Sequence, residues 1–255
     1  MPDLSQLTAV IKTFQRPQAL DLLIRSIRRF YPQLAIAVAD DGIAPSPRDD
    51  VDYLRLPEDV GLSAGRNALL RHIRTPYFLL LDDDLEFTRR TQIERLLELV
   101  AGDVADVAGG DYYRCKRKLI FTRQRWQPFH GNFRFRDGDL WLTREFHAVH
   151  PDYCLCDVVH NFFVARTADA LALGGWDEEL KLNEHVEFFV RLYRKLKRVA
   201  YCPDVIARHW SVRHANYTPF RDRDFTGLAA QKIGVRHVHT FSGKVIGSEK
   251  SKQAA

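Results

Sequence analysis

Residues 76–84 read PYFLLLDDD, an apolar run that ends in three consecutive aspartates. An uninterrupted apolar run of this length is typical of a strand that is buried on both faces of a parallel sheet. In such a sheet, ligands bind beyond the carboxyl ends of the strands. The three aspartates therefore mark the edge of the sheet at which we expect a functional site.

The sequence around this run alternates between strand and helix patterns. Such alternation predicts βαβ units, and hence an α/β fold with a mostly parallel sheet flanked by helices. Ser63 is the predicted N-cap of the second helix. The predicted strands cover residues 7–13, 34–40 and 51–56, and the predicted helices cover residues 16–31, 61–74 and 90–100.

The second half of the chain has shorter periods. A strand is predicted over 106–114, aromatic and basic hairpins and loops over 114–155, and another strand over 158–166. An amphipathic helix follows over 185–196, with Asn183 as its predicted N-cap. We predict one domain over residues 1–225, divided into halves at residue 103 and with a smaller β-rich region in the second half. Residues 226–255 are predicted to be a polar extension.

Composition excludes several classes of protein. The 255 residues are 45% hydrophobic, which is typical of a globular domain, and no run of about 18 apolar residues indicates a membrane span. The first residues lack the pattern of a signal peptide, and four cysteines do not make a disulfide framework. We therefore expect a cytoplasmic protein, or one that contacts the inner face of the membrane.

The formal charge of +5 raises the question of nucleic-acid binding. Basic residues cluster over 112–126 and 191–198, but acidic residues are spread almost as widely and no nucleic-acid-binding module is recognisable. The second cluster is explained by the basic C-terminal end of a helix. The charge suits a nucleotide or a lipid headgroup equally well, so we expect no nucleic-acid partner.

Asp82, Asp83 and Asp84 repel one another and need a cation if all three are ionised in a partly dry site. Alternation along an extended strand predicts that Asp82 and Asp84 share one side and that Asp83 lies on the other. Hard oxygen ligands suit Mg²⁺ or Mn²⁺ shared with a substrate phosphate. The alternative is a solvated acidic turn. The preceding leucines and a second acidic pair, Asp40 and Asp41, favour the metal site.

Two helix starts carry further candidates. Residues 61–67, GLSAGRN, bring Arg66 to a helix N-terminus, where free N–H groups and the helix dipole favour an anion. Glu184, His185 and Glu187 fall in the first turn of the amphipathic helix. The carboxylates there are either ordinary partners of the helix dipole or a general base at the mouth of the site.

Taken together, these motifs resemble a GT-A glycosyltransferase of family two. The motifs are T-F-x-R after the first strand, A-D-D-G, G-x-x-x-x-R-N, a strand that runs into D-D-D, and G-G-W-D-E before an acidic helix start. Within the superfamily the sequence is similar to the catalytic domain of β-1,4-N-acetylgalactosaminyltransferases of the GM2/GD2 type. The resemblance covers roughly residues 7–210, through IKTFQRP, SIRRFYPQLAIAVADD, GLSAGRN, LDDDLEFTRRTQIERL, VVHNFFVAR and EHVEFF.

The resemblance implies that the first half binds the nucleotide and the second half the acceptor. It assigns the following side chains to the sugar donor: Thr13, Phe14 and Arg16 bordering the uridine, Asp40 and Asp41 holding the uracil or ribose, Arg66 near the base or diphosphate, and Asp82 with Asp83 contacting the ribose and sugar.

The resemblance also implies a divalent metal. Asp84 would ligate a Mn²⁺ or Mg²⁺ ion that bridges the diphosphate. A late histidine is often a further ligand in GT-A enzymes, and His209 is the first candidate here, with His214 second.

One departure from the family concerns the general base. Family-two enzymes usually show E-D-x-D at this helix, with the aspartate after the glutamate as base, whereas this chain has Glu184, His185, Val186 and Glu187. The base is therefore His185, Glu187 or Glu184. We favour Glu187 and His185 acting together.

The implied activity is metal-dependent, inverting transfer of a sugar from a UDP-sugar to a glycan or glycolipid hydroxyl. N-acetylgalactosamine is favoured by the resemblance alone. Aromatic and polar side chains are expected to shape the acceptor side: Trp126, Phe129, His130, Trp141 and Asn161. The alternatives are a non-catalytic nucleotide- or glycan-binding module and a sugar nucleotidyltransferase, although the latter normally has a glycine-rich loop after its first strand.

Overall fold

The computed structural model describes residues 2–117, 122–210 and 218–247. The helices among them are Pro17–Phe30 (α1), Leu62–His72 (α2), Ile93–Ala101 (α3), Thr167–Ala172 (α4), Glu184–Arg194 (α5), Thr218–Arg221 (α6) and Thr226–Ile233 (α7). The strands are Leu7–Thr13 (β1), Ala35–Asp40 (β2), Asp52–Arg55 (β3), Tyr77–Asp82 (β4), Leu85–Glu86 (β5), Val107–Arg117 (β6), Thr122–Trp126 (β7), Asn132–Arg136 (β8), Asp139–Thr143 (β9), Ala148–Val149 (β10), Cys154–Cys156 (β11), Phe162–Arg166 (β12), Val199–Trp210 (β13), His237–His239 (β14) and Val245–Gly247 (β15).

A large mixed sheet forms the centre of the fold. Its main path runs β10-β11-β13-β6-β12-β4-β1-β2-β3, and β5 and β7 pair with β13 and β6. Strands β1 to β4 are all parallel, as the alternating pattern predicts. Beyond β4 the sheet becomes mixed, because β12 lies antiparallel between β4 and β6.

Helices cover both faces of this sheet. On one face, leucines and isoleucines of α1 and α3 pack with Ile11 and Leu79. On the other face, residues of α2 and α5 pack with Val10 and Leu80. Neighbouring residues of each strand thus enter opposite cores, which explains why β1 and β4 read as continuous apolar runs.

The register of the parallel strands aligns their carboxyl ends. Thr13 of β1 lies opposite Asp40 of β2, and Lys12 lies opposite Asp82 of β4. The chain leaves β1 toward β2 and β3 on one side and returns to β4 on the other, so the strand order reverses at β1. Open α/β sheets bind ligands at such a reversal.

The aspartate run differs from the prediction. Strand β4 ends at Asp82, and Asp83 and Asp84 form a turn before the short strand β5. The chain is therefore not extended here as predicted, but the predicted separation still holds: Asp82 and Asp84 line one cavity and Asp83 lines another.

The N-caps of helices α2 and α5 can be compared with the predicted ones. The N-cap of α2 is Gly61, while the hydroxyl of Ser63 donates to the carbonyl of Leu180 at 2.6 Å, so the predicted Ser63 cap is wrong. Asn183 does occupy the N-cap of α5, in a left-handed conformation and without a side-chain capping bond.

A second, four-stranded sheet has the order β15-β14-β9-β8. Its strands β14 and β15 come from beyond residue 225, and α7 packs next to them. Residues 226–247 are thus part of the folded structure, which corrects the predicted extension. All four cysteines are buried and free. Within the described ranges, no helix combines the length and the apolar character needed to cross a membrane.

Candidate functional site

Two adjoining cavities open at the carboxyl ends of β1 and β4. The smaller, of about 420 Å³ including open solvent at its mouth, is lined by residues that include Lys12, Phe14 and Asp41. The larger, of about 1580 Å³ including open solvent at its mouth, is lined by Asp82 and Asp84 among others. Arg16 and Leu62 line both cavities. A ligand that fills both would therefore pass over Arg16.

The turn after β4 is held by one arginine. Arg16 forms ion pairs with both Asp83 and Asp84, the latter at 2.8 Å. Thr13 donates its hydroxyl to Asp83 at 2.7 Å, which ties the ends of β1 and β4 together. Burial raises the pKa of Asp83, and Arg16 only partly offsets that effect. The structure thus unites Thr13, Arg16, Asp83 and Asp84, but Thr13 faces the turn.

Asp84 and His209 form the arrangement most suited to a metal ion. His209 Nε2 lies 3.2 Å from Asp84 Oδ1, and both side chains are nearly buried. Apart from this contact, Asp84 Oδ1 has no hydrogen-bond partner among the described residues, and His209 Nδ1 has none. Burial would raise the pKa of Asp84, but Arg16 and His209 together lower it. An ionised, buried carboxylate oxygen beside an imidazole nitrogen fits a divalent cation.

Two protein ligands leave most of the cation's coordination positions open. Within the described residues, no group of three or more His, Cys, Asp or Glu side chains is arranged to hold a metal ion. Mg²⁺ and Mn²⁺ are commonly held by one or two protein ligands together with water and substrate phosphates. The geometry thus fits a metal that binds together with a phosphorylated ligand. The second candidate ligand, His214, lies outside the described residues.

Arg66 joins the acidic helix start to β4. Its buried guanidinium pairs with Glu184 and, at 3.0 Å, with Asp82. Asp82 remains 30% exposed and lines the larger cavity beside Glu184. Arg66 itself lies behind the wall of that cavity. In the structure its side chain does not reach into the cavity, where the prediction had it approach the base or diphosphate. It positions two carboxylates.

His185 and Glu187, two residues apart on α5, have different surroundings. His185 lines the larger cavity and its Nδ1 is hydrogen-bonded to Asn161 Oδ1. Since an amide oxygen only accepts, the ring donates from Nδ1 and its neutral form has its lone pair on Nε2. Burial and the charge of Arg66 lower the pKa of His185 to about 3, so the ring is neutral at pH 7.

Glu187 faces away from this cavity. It forms a two-pronged ion pair with Arg191, one turn later on α5, at 2.6 and 3.0 Å. Arg191 in turn donates to the carbonyls of Leu173 and Gly175. The expected partnership of Glu187 with His185 is therefore wrong, because the rotation of α5 sends Glu187 into a structural contact with the preceding loop.

The smaller cavity is built around a buried ion pair between Lys12 and Asp41. Asp41 also accepts the backbone N–H of Gly61 at 3.0 Å. Gly61 has a φ of 95°, and a Cβ there would lie 2.8 Å from the Cα of Lys181, so glycine is required. Asp40 does not join this cavity.

The carboxylate of Asp40 is used within its own loop. It accepts the N–H of Gly42, the N–H of Ser46 and the hydroxyl of Tyr53. The carboxylate of Asp40 is thus not directed into either cavity, in contrast to its predicted contact with a uracil or ribose.

Late residues of the chain close the smaller cavity. The ring of Phe220 lies 4.8 Å from that of Phe14. Arg223 pairs with both oxygens of Asp59 at 2.6 and 2.7 Å, and Lys181 also reaches Asp59. The cavity therefore combines an aromatic wall with buried polar groups, which suits a planar, hydrogen-bonding ring system.

The predicted acceptor-side residues are only partly brought together. Phe129 and Asn161 line the larger cavity. His130 is buried instead, stacked 3.8 Å from the ring of Tyr201. Trp141 lies on the second sheet, 44% exposed and stacked on His239. Trp126 is half exposed and donates its indole N–H to Asp111 at 2.6 Å.

Sequence reasoning missed three polar residues of the site. Lys12 was the only charged residue in an apolar strand, which is a usable signal. Asp111 is buried and contacts Tyr201 and His160, and His160 lines the larger cavity. The position of Asp111 directly after Gly109 and Gly110 in a strand is the corresponding signal, whereas a single histidine such as His160 gives none.

Comparisons with known proteins agree with this geometry. Residues 8–161 match the model of the family described as Glycosyl transferase family 2. The chain is 37% identical over 217 residues to beta-1,4 N-acetylgalactosaminyltransferase 1 of Rattus norvegicus, covering 80% of this chain and 39% of that protein. It is 34% identical over 214 residues to beta-1,4 N-acetylgalactosaminyltransferase 2 of Mus musculus, covering 79% and 39%. The chain thus spans about two fifths of the length of these curated relatives.

Two solved structures have a similar fold. One is GalNAc-T7 with UDP, GalNAc and Mn²⁺, with a TM-score of 0.60 and 12% identity, covering 82% of this chain and 44% of that one. The other is S. aureus TarS 1–349 in complex with UDP-GlcNAc, with a TM-score of 0.58 and 13% identity, covering 83% and 60%. These likenesses confirm the predicted GT-A fold.

Proposed function

The chain belongs to glycosyltransferase family 2, and from that premise we propose that it transfers N-acetylgalactosamine from UDP to a glycan or glycolipid hydroxyl with inversion at the anomeric carbon. One observation carries the proposal. Asp84 Oδ1 and His209 Nε2 are 3.2 Å apart and nearly buried, and both residues line the larger cavity beside Arg16, which lines both cavities. A diphosphate held there extends its uridine into one cavity and its sugar into the other.

The smaller cavity takes the uridine. The rings of Phe14 and Phe220 form its aromatic wall. The buried pair of Lys12 and Asp41 supplies a hydrogen-bonding floor for the uracil or ribose.

The diphosphate lies over Arg16. In the structure this arginine neutralises Asp83 and Asp84, and a divalent Mn²⁺ or Mg²⁺ ion held by Asp84 and His209 would supply positive charge to the leaving diphosphate. Arg16 is then able to turn from Asp84 to a phosphate oxygen, a bidentate contact for which guanidinium is well suited. Names of the relatives support the choice of N-acetylgalactosamine.

The acceptor hydroxyl enters through the larger cavity, opposite the leaving group. Asn161 fixes the ring of His185 with the lone pair on Nε2, so His185 accepts the proton of the attacking hydroxyl. Glu184 acts as a positioning residue, because its carboxylate is paired with the buried Arg66. Attack from this side, in line with the departing diphosphate, inverts the anomeric centre.

The test is UDP release from a panel of UDP-sugars with Mn²⁺, with Mg²⁺ and with EDTA. We expect release to be fastest from UDP-N-acetylgalactosamine, to stop in EDTA, and to fall by about 10²–10³-fold in Asp84→Asn. Asp139→Asn, a carboxylate on the second sheet, is the matched control and should keep full activity.

Two results would contradict the proposal. Metal-dependent binding of UDP without any turnover, with every glycan acceptor offered, would identify a non-catalytic binding module. Formation of a UDP-sugar from UTP and a sugar phosphate would identify a nucleotidyltransferase.

A further inference from the structure

Strands β6 and β7 form an antiparallel hairpin next to the larger cavity. Their register places Arg114 directly opposite Arg125, and Lys116 directly opposite Arg123. All four side chains are exposed, and they share one face of the hairpin because they alternate with Cys115 and Gln124. We call Arg114, Lys116, Arg123 and Arg125 the cationic face.

The cationic face has no internal counter-charge. None of its four side chains forms an ion pair or a hydrogen bond within the described ranges 2–117, 122–210 and 218–247. Some exposed arginines elsewhere are paired, as Arg134 is with Glu145. Like charges directly opposite one another destabilise a strand pair. The arrangement therefore costs stability in the isolated protein and is relieved by an external anion.

The shape of the cationic face favours an extended anion over a small one. Two cross-strand pairs, two residues apart along each strand, are separated by about 6–7 Å. Four charges over such an area match a charged plane better than a single phosphate.

The position of the hairpin also indicates how the protein would be oriented on its partner. Arg114 lines the larger cavity, so the cationic face continues from the mouth of that cavity outward. We propose that the cationic face docks the protein on the anionic headgroups of a lipid bilayer, with the mouth of the larger cavity toward the membrane surface. This inference does not rest on the proposed transferase activity.

Vesicle sedimentation tests the proposal directly. The full chain is mixed with vesicles of phosphatidylcholine alone and with vesicles that contain 30 mol% phosphatidylserine, at low and at physiological salt. We expect binding only to the anionic vesicles and weaker binding at the higher salt. In Lys116→Gln/Arg123→Gln the partition coefficient should fall by about 30-fold, the effect of removing two membrane-facing cations.

A matched variant separates the cationic face from net charge. Arg89→Gln/Lys195→Gln removes two exposed cations that, like the cationic face, have no ion-pair partner among the described residues. It should bind the anionic vesicles as the wild type does. Thermal unfolding of both variants shows whether they are folded, and the salt dependence of the wild type tests the proposal without any variant.

Three results would overturn it. The first is no binding of the wild type to anionic vesicles at low salt, and the second is equal loss in both double variants. The third is tighter binding to duplex DNA at the same phosphate concentration, lost in Lys116→Gln/Arg123→Gln, since that would make the face a nucleic-acid site. UDP release in an assay with a soluble acceptor should be unchanged in Lys116→Gln/Arg123→Gln. Failure of the membrane proposal can therefore be distinguished from failure of the proposed activity.

Discussion

The turn after β4 and the cationic face of the β6–β7 hairpin treat charge in opposite ways. In the turn, Asp83 and Asp84 are buried and share Arg16. On the hairpin, Lys116 and Arg123 are exposed, face each other and have no partner in the described chain. A buried charge must be paired, whereas an exposed one is solvated. The fold itself therefore neutralises the charges of the turn, whereas the charges of the cationic face are left to solvent or to the anionic surface that we propose.

The largest effect on turnover is expected for His185, a buried polar residue to which we assign a role in the reaction rather than in stability. His185→Ala should lower kcat by about 10²–10⁴-fold, because it removes the proton acceptor of the larger cavity. Steady-state kinetics with UDP-N-acetylgalactosamine and an acceptor measure it.

Glu187→Gln is the matched variant, two residues further on the same helix. It should leave kcat unchanged and lower the free energy of unfolding by about 1–3 kcal/mol, since it weakens the pair with Arg191. Loss of turnover in Glu187→Gln, with full turnover in His185→Ala, would reverse the roles that the structure assigns to these residues.

A second prediction compares a buried lysine with an exposed one. Lys12→Met leaves Asp41 buried without its partner and should lower the free energy of unfolding by about 3–5 kcal/mol. Lys116→Met, on the cationic face, should change it by less than about 0.5 kcal/mol. Urea unfolding measures both. Adding Asp41→Asn to Lys12→Met should recover part of the loss; if it recovers nothing, the charge of Asp41 is not what makes the loss large.

A third prediction uses a buried histidine beside the second sheet. Burial lowers the pKa of His130 from 6.5 to about 4, and the charged groups facing it are Asp111, His160 and Arg144. The folded protein therefore binds fewer protons than the unfolded chain. The contribution of neutral, buried His130 to the free energy of unfolding is complete above pH 6.5. It is lost as the pH falls toward 4, by at most about 1.4 kcal/mol for each pH unit.

His130→Gln should remove this part of the pH dependence. The measurement is the free energy of unfolding between pH 4 and pH 7 in urea, with His150→Gln, at an exposed position, as the control. An unchanged slope in His130→Gln would contradict the assignment.

The smallest effect is expected on the cationic face itself. Lys116→Gln/Arg123→Gln removes one like-charge cross-strand pair, so the free energy of unfolding should rise by about 0.2–1 kcal/mol. Low-salt urea unfolding detects this, and high salt should reduce the gain. A fall in stability would show that these side chains have favourable contacts within the protein.

The part of the site that is built by the fold is also the part that could be predicted from the sequence. The apolar runs of β1 and β4 specify strands buried on both faces, and the parallel register then brings their polar ends to one edge. That reasoning predicted Phe14, Arg16 and Asp84 at this edge, and all three line the cavities there, because each follows a strand end within three residues.

The remaining details depend partly on contacts between distant residues. Asp40 and Asp41 are neighbours, and it is the contact of Asp41 with Gly61, twenty residues later, that places Asp41 at the cavity. Glu184 and Glu187 both lie in the first turn of α5. Glu187 pairs with Arg191 four residues later on the same helix, whereas Glu184 pairs with Arg66 of α2, a contact that no local pattern predicts.

Calorimetric titration of UDP tests the central claim most directly, that Asp84 and His209 bind the nucleotide through a divalent metal. The account predicts binding to the wild type with Mn²⁺, none in EDTA, and loss of the metal-dependent part in both Asp84→Asn and His209→Asn, with Asp139→Asn unchanged. UDP binding of equal affinity in EDTA, or in Asp84→Asn with Mn²⁺, would contradict it.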